Sequence, residues 1–325
     1  HSMRKSLVSA LYGIAVGRGE IHLNTTLADL GIDDNAPALT VQERGATVVD
    51  LLSARSGVYH PALSESAEMK ARRPARHSHP PGTFWYYNNW DFNVLGTIYA
   101  VTTGSNLFDA FVREIAAPIG MQDFGTSDGW YTHGTASIHP TYKFRMSTRD
   151  LARFGLLYLR QGRWRELQVV PADWVAASTG AISSVGFRRG YGYMWWTLDS
   201  GSQLANIRIP EPAYYAAGYR GHRMFLFPGR DLLIVHRVNT DLPEPGPRTD
   251  GLAPVVDNHR IGRLLWAILD AAGAVGIGPN PSWSAAPGKQ LDADAIRALL
   301  ARHAIDMGGG LRFAAYADGR CALFR

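Results

Sequence analysis

The chain holds 325 residues at a net charge of +5, and because only four of them are lysine the positive charge rests on scattered arginines. No basic stripe interleaved with aromatics supports a nucleic-acid partner, and no apolar run reaches the length of a membrane span. The single cysteine, Cys321, excludes an intrachain disulfide and leaves no thiolate metal site.

What remains is a globular chain rich in aromatics, long enough to bury a large core in one or two domains. The first element expected is a helix over residues 2–19, apolar on nearly every face through Leu7, Val8, Leu11, Ile14 and Val16, and so suited to the centre of a protein. It opens on Ser2-Met3-Arg4-Lys5, the only Ser-x-x-Lys in the chain. One helical turn would set the hydroxyl and the amine on the same side, so that the amine can take the hydroxyl proton and leave a nucleophile. The alternative is that Ser2 caps the helix and Lys5 is solvated.

Residues 47–54 follow as a helix with a capping-box-like start at Thr47 and Asp50. Residues 60–83, rich in Pro, Arg, His and Ser, read as a loop; its His77 and His79 have nothing nearby to complete a metal set. Helices are expected over 105–117 and, with the clearest amphipathic spacing, over 147–160. After residue 185 the texture becomes β-rich. A strand is expected over 191–196, then a hairpin of 223–227 and 232–238 around Pro228-Gly229-Arg230-Asp231. A helix over 257–272, a Pro/Gly-rich tail, a short helix over 293–303 and a closing hairpin of 311–316 and 321–324 complete an α+β layout.

Two further segments carry chemistry. Pro81-Gly82-Thr83-Phe84-Trp85-Tyr86-Tyr87-Asn88-Asn89 ends in overlapping Tyr-x-Asn pairs. A phenol beside an ammonium becomes a usable acid and base, and an Asn can orient that ammonium while binding a substrate carbonyl. The other reading is an aromatic loop packed on the core. Gly218-Tyr219-Arg220-Gly221-His222 leads into the 223–227 strand, where a strand edge can offer a backbone N–H to an oxyanion; a plain strand-entry turn is the alternative. The aromatic set Trp85, Tyr86, Trp90, Tyr131, Trp195 and Trp196 suits either an apolar pocket or the core.

Taken in order, Ser-x-x-Lys, Tyr-x-Asn and the 219–221 segment resemble the signatures of the penicillin-recognising serine hydrolases, in particular the class C β-lactamase, D,D-peptidase and family VIII esterase group. The Pro81-Gly82-Thr83 lead-in and the trailing Leu95-Gly96 fall in step with that group and select Tyr87/Asn89 over Tyr86/Asn88. Residues 50–58 and 146–155 resemble it as well, so the likeness covers about residues 2–272.

The resemblance implies a β-lactamase-like α+β fold, an antiparallel sheet flanked by helices with a mainly helical lobe over about 30–185. It also implies a hydrolase domain over 1–272 and a separate extension over 273–325. By position, Ser2 would be the acyl-accepting nucleophile, Lys5 and Tyr87 its bases, and Asn89 the residue that holds Lys5 and the substrate carbonyl. Tyr219, Arg220 and Gly221 would stand at the third motif, and the N–H groups of Ser2 and His222 would form the oxyanion hole. The implied reaction is two-step acyl transfer on a small-molecule ester or amide, with neither metal nor cofactor.

Two departures shape the expectation. Tyr219 stands where β-lactamases and peptidases of the group carry a lysine, which favours a carboxylesterase. A β-lactamase, a D-amino-acid amidase or peptidase, and an inactive ligand-binding relative are the alternatives. The group's N-terminal helix and strand pair has no counterpart ahead of Ser2, so upstream sequence is expected to be missing and the closing hairpin around Asp318-Gly319 is a candidate for that sheet position. Compartment and oligomeric state are left open.

Overall fold

The computed structural model describes residues 1–238 and 258–274, together with three short strands at 305–306, 312–315 and 321–324. The chain forms two compact units, one of residues 4–185 and 190–195, the other of residues 1–3, 186–189 and 196 onward.

The first unit is mainly helical and is built around the helix Arg4–Gly17, buried from Arg4 to Ala15. A helix this apolar can only be central, and its few polar side chains all find partners, as burial requires. Ser6 Oγ donates to Met194 O at 2.8 Å, Ser9 Oγ to Tyr193 O at 2.7 Å, and Tyr12 Oη to Leu95 O at 2.6 Å. The expected start at residue 2 is corrected: helical backbone begins at Arg4, and Ser2 and Met3 form the turn ahead of it.

Val48–Leu52 opens with the full capping box, Thr47 accepting from the Asp50 N–H and Asp50 from the Thr47 N–H. The stretch read as an uninterrupted loop contains a helix, Ala67–Arg72, capped by Ser66 and buried nowhere. An exposed helix has no apolar periodicity, which is why the pattern hides it. Asn89–Thr103 is capped by Asn88 and ends at Gly104 in the left-handed region.

A hairpin, Gly129–Thr132 with Thr141–Phe144, precedes Thr148–Leu159, whose cap is Ser147. Within the 146–155 segment, Asp150 is fully buried. Its carboxylate accepts the N–H groups of Gln122, Asp123 and Phe124 at 2.9–3.0 Å, which holds that bend against the helix. The strand expected over 191–196 breaks into two, Arg189–Tyr191 and Trp196–Leu198. Between them Gly192 N–H donates to Trp195 O, and Met194 adopts φ +61°, outside any strand conformation.

The second unit is an antiparallel sheet in which Ala213–Ala217 pairs with Trp196–Leu198 on one side and Arg223–Phe227 on the other; the last pairs in turn with Leu232–His236. Tyr215, Phe225 and Ile234 lie in register on one face and pack with Ile261, Leu265 and Ile268 of the helix Asn258–Ala271. The expected hairpin at 223–238 and helix at 257–272 are both present.

Ile305–Asp306, Arg312–Ala315 and Cys321–Phe324 form a further antiparallel sheet, with Cys321–Phe324 running beside Leu232–His236. The closing hairpin therefore lies at that strand. The short helix expected over 293–303 falls outside the described residues.

Candidate active site

The Tyr87 arm is positioned by the 50–58 segment. Gly82 N–H donates to Arg55 O at 2.8 Å and Tyr86 N–H to Ala54 O at 3.0 Å, while the Arg55 guanidinium returns a bond to Gly82 O and reaches Ser183 Oγ. Gly57, at φ +68°, is approached so closely that a Cβ would stand 2.4 Å from His79 O, so only glycine fits. His79 stacks on Phe84 at 3.9 Å and bonds Tyr59 Oη through Nδ1. Backbone and side chains together thus fix the loop that delivers Tyr87.

The overlap of the two Tyr-x-Asn pairs is resolved by what each side chain does. Tyr86 Oη donates to Met69 O. Asn88 accepts the Trp90 N–H at the helix start and donates to Val58 O and Asp91. Tyr87 and Asn89 instead meet Lys5, whose Nζ donates to Tyr87 Oη at 2.8 Å and to Asn89 Oδ1 at 2.9 Å. The ammonium also lies 4.6 Å from the ring centres of Tyr87 and Phe92.

Two effects oppose each other at Lys5. The ring faces favour its charged form, while burial, with the side chain 1% exposed, disfavours it. Burial prevails, aided by the charges of Arg4 and Lys143, and holds the amine well below the usual lysine range. An amine that gives up its proton readily, hydrogen-bonded to a phenol, can work with it as an acid/base pair.

Behind it, burial pushes the Asp91 carboxyl well above the usual range even though Ser56 and Asn88 donate to it. Trp90 and Trp195, candidates for a pocket wall, are fully buried core residues.

In the other unit, Ser2 is partly exposed, and its neighbours pack on the 218–222 segment. A Cβ at Gly218 would lie 3.2 Å from His1 Cβ and 3.0 Å from His222 Cβ, so a larger residue there would press on both. The His1 ring sits 5.8 Å from that of Tyr219 and 5.1 Å from that of His222.

Of the two readings of the 219–221 segment the structure has the turn and not the strand edge: Arg220 has φ +61° and Gly221 φ +95°. The turn is fastened by Arg223, which donates to Gly218 O and His222 O, and by His236 against Gly221 O. Tyr219 is 60% exposed. Burial, with Arg237 next, drives His222 down to about 3, so it is neutral, and its Nδ1 accepts from Arg237 Nε at 3.0 Å.

Sequence reasoning missed Lys143, on the strand Thr141–Phe144. Its Nζ donates to Ser64 Oγ at 3.0 Å, and Ser64 O accepts from Asn89 Nδ2 at 2.7 Å. Only its rarity as one of four lysines could have flagged it.

The Beta-lactamase family model matches residues 1–255. The chain belongs to the Beta-lactamase family. Its members are serine hydrolases, and the mixed helix and antiparallel-sheet architecture is that of the β-lactamase fold. In sequence the chain is 21% identical over 180 residues to an uncharacterised protein of Alkalihalophilus pseudofirmus, a match covering 49% of this chain and 53% of the relative. The matched region thus spans about half the length of that curated relative.

Among solved structures it is similar to the octameric penicillin-binding protein homologue from Pyrococcus abyssi, with TM-score 0.57 and 15% identity over 98% of this chain and 74% of that one. It is also similar to the D-alanine carboxypeptidase AmpC from Burkholderia cenocepacia, with TM-score 0.52 and 15% identity over 72% and 76%. Identities this low speak for the fold alone. Among the described residues no helix is long and apolar enough to cross a membrane, and no group of His, Cys, Asp and Glu is placed to hold a metal ion.

Proposed function

We propose that this member of the Beta-lactamase family is a carboxylesterase working through an acyl-enzyme on Ser2. The observation that carries the reading is the buried Lys5 amine, low in proton affinity and hydrogen-bonded to the Tyr87 phenol, three residues along the chain from Ser2. Ser2 Oγ attacks the acyl carbon, and its proton passes to Lys5 or Tyr87. The oxyanion is held by the N–H groups of Ser2 and His222. The alcohol leaves with a proton from Tyr87, and water, deprotonated by the same pair, releases the acid.

An ester is favoured over a β-lactam or a D-alanyl amide because neither the turn Tyr219–Gly221 nor the strand Ala213–Ala217 carries a lysine. Rapid mixing with p-nitrophenyl butyrate tests the proposal. A stoichiometric burst and a butyryl adduct by intact mass are expected, both absent in Ser2→Ala. Absence of both in the unaltered protein would favour a ligand-binding relative. Faster turnover of a cephalosporin or a D-alanyl amide would replace the esterase with a lactamase or an amidase.

A further inference from the structure

Beside the Lys5–Tyr87–Asn89 cluster lie two more cations, Arg4 and Lys143, and among the described residues neither has a carboxylate at ion-pairing distance. Buried or half-buried charges are ordinarily paired. Arg4 is engaged by Thr141 Oγ1 at 3.0 Å and by the Tyr142 ring, and it is buried. Lys143 is only partly buried, and its recorded partner is neutral: the Ser64 hydroxyl accepts one N–H, which leaves the ammonium two further donors and leaves Ser64 its own O–H to donate.

Ser64 is exposed and sits at φ +62°, a conformation costly for any residue but glycine and of the kind held at ligand sites. Its carbonyl is bound by Asn89, so the path Lys143–Ser64–Asn89–Lys5 is hydrogen-bonded throughout. The charge of Lys143 is also felt at Lys5.

We propose that Lys143 and Ser64 form an anion subsite next to the Lys5–Tyr87–Asn89 cluster, which takes a carboxylate carried on the acyl chain of the substrate. This rests on the esterase reading and deepens it. The substrates are half-esters of short dicarboxylic acids, the free carboxylate accepting from Lys143 Nζ and Ser64 Oγ. The subsite supplies the cation that the Tyr219–Gly221 turn lacks, from a different element.

The test compares p-nitrophenyl pentanoate with mono-p-nitrophenyl glutarate, matched in chain length and differing in the terminal carboxylate. For each variant the ratio of kcat/KM for the two esters is read, which cancels any effect of the substitution on Lys5. The unaltered protein is expected to prefer the glutarate ester. Lys143→Gln should lower that ratio about ten- to a hundredfold, as loss of a charge-assisted hydrogen bond does. Lys143→Arg should retain most of it, and Ser64→Ala should lower it less.

Binding of both esters to the non-turning-over Ser2→Ala protein, followed by tryptophan fluorescence, separates the two readings. Glutarate-selective binding that depends on Lys143, without turnover in the unaltered protein, would retain the subsite and remove the esterase. Turnover of both esters with a ratio unmoved by Lys143→Gln would overturn the subsite and leave the esterase.

Discussion

On the proposed mechanism, substitution of Lys5 should separate catalysis from stability. Lys5→Met keeps chain length and volume while removing an ammonium held out of water, a change that is often neutral or stabilising. Against this stands the cost of leaving Asn89 Oδ1 without its donor, about 1–3 kcal/mol for a buried acceptor. The two effects nearly offset, so the melting temperature should stay within about 3 °C of the original. On the proposed mechanism, loss of the Lys5 amine should lower the acylation rate by about 10²–10⁴. Calorimetry and single-turnover kinetics on the same preparation check both; a collapse in melting temperature would make Lys5 a structural residue.

Tyr87 and Asn89 were legible in the sequence because motif order and a fixed lead-in choose their register. Lys143 was not. It reaches the same cluster from a strand 54 residues beyond Asn89, a proximity that only the fold creates.

The element that sets the site is the helix Asn89–Thr103, and its cap is Asn88. Asn88→Ala removes the cap, worth about 0.5–2 kcal/mol, and orphans the buried Val58 carbonyl, which adds about 1–3 kcal/mol. The expected result is a melting temperature lower by about 4–10 °C; no change would show that the cap is replaceable by solvent or by Asp91.

Elements whose ends carry side-chain caps, such as Val48–Leu52 and Thr148–Leu159, were readable from sequence because the signal is local. Ala67–Arg72 was not, since its exposed surface leaves no periodic trace. The Tyr219–Gly221 segment stayed open between a strand edge and a strand-entry turn because its reversal depends on left-handed backbone at Arg220, a residue with no marked preference for it.

For the molecule as a whole, the family was legible because three weak motifs in a fixed order are jointly specific. The early crossing of the chain from one unit to the other at residues 3–4 was not, since the sequence has no linker there.

Global stability should also record one buried acid. Asp91 binds its proton more tightly in the folded state, with burial as the main cause. From its unfolded pKa near 3.8 up to its folded value, the native state holds a proton that the unfolded chain has released. Stability conferred by this group is therefore complete at low pH and lost as pH rises through that window. Asp91→Asn keeps an acceptor for Ser56 and Asn88 and has nothing to titrate. Its urea midpoint should fall less than that of the unaltered protein as pH rises above about 4. Parallel curves for the two proteins would count against a protonated Asp91.

Lys143 has a practical consequence as well. Burial and the nearby Arg4 bring its amine to about 8, and it is only partly covered, whereas Lys5 is sealed in the core. In a protein with so few lysines, a scarce amine-directed reagent applied at mildly alkaline pH has a preferred address. A fluorophore or crosslinker placed there would report from beside the Lys5–Tyr87–Asn89 cluster without any engineered cysteine.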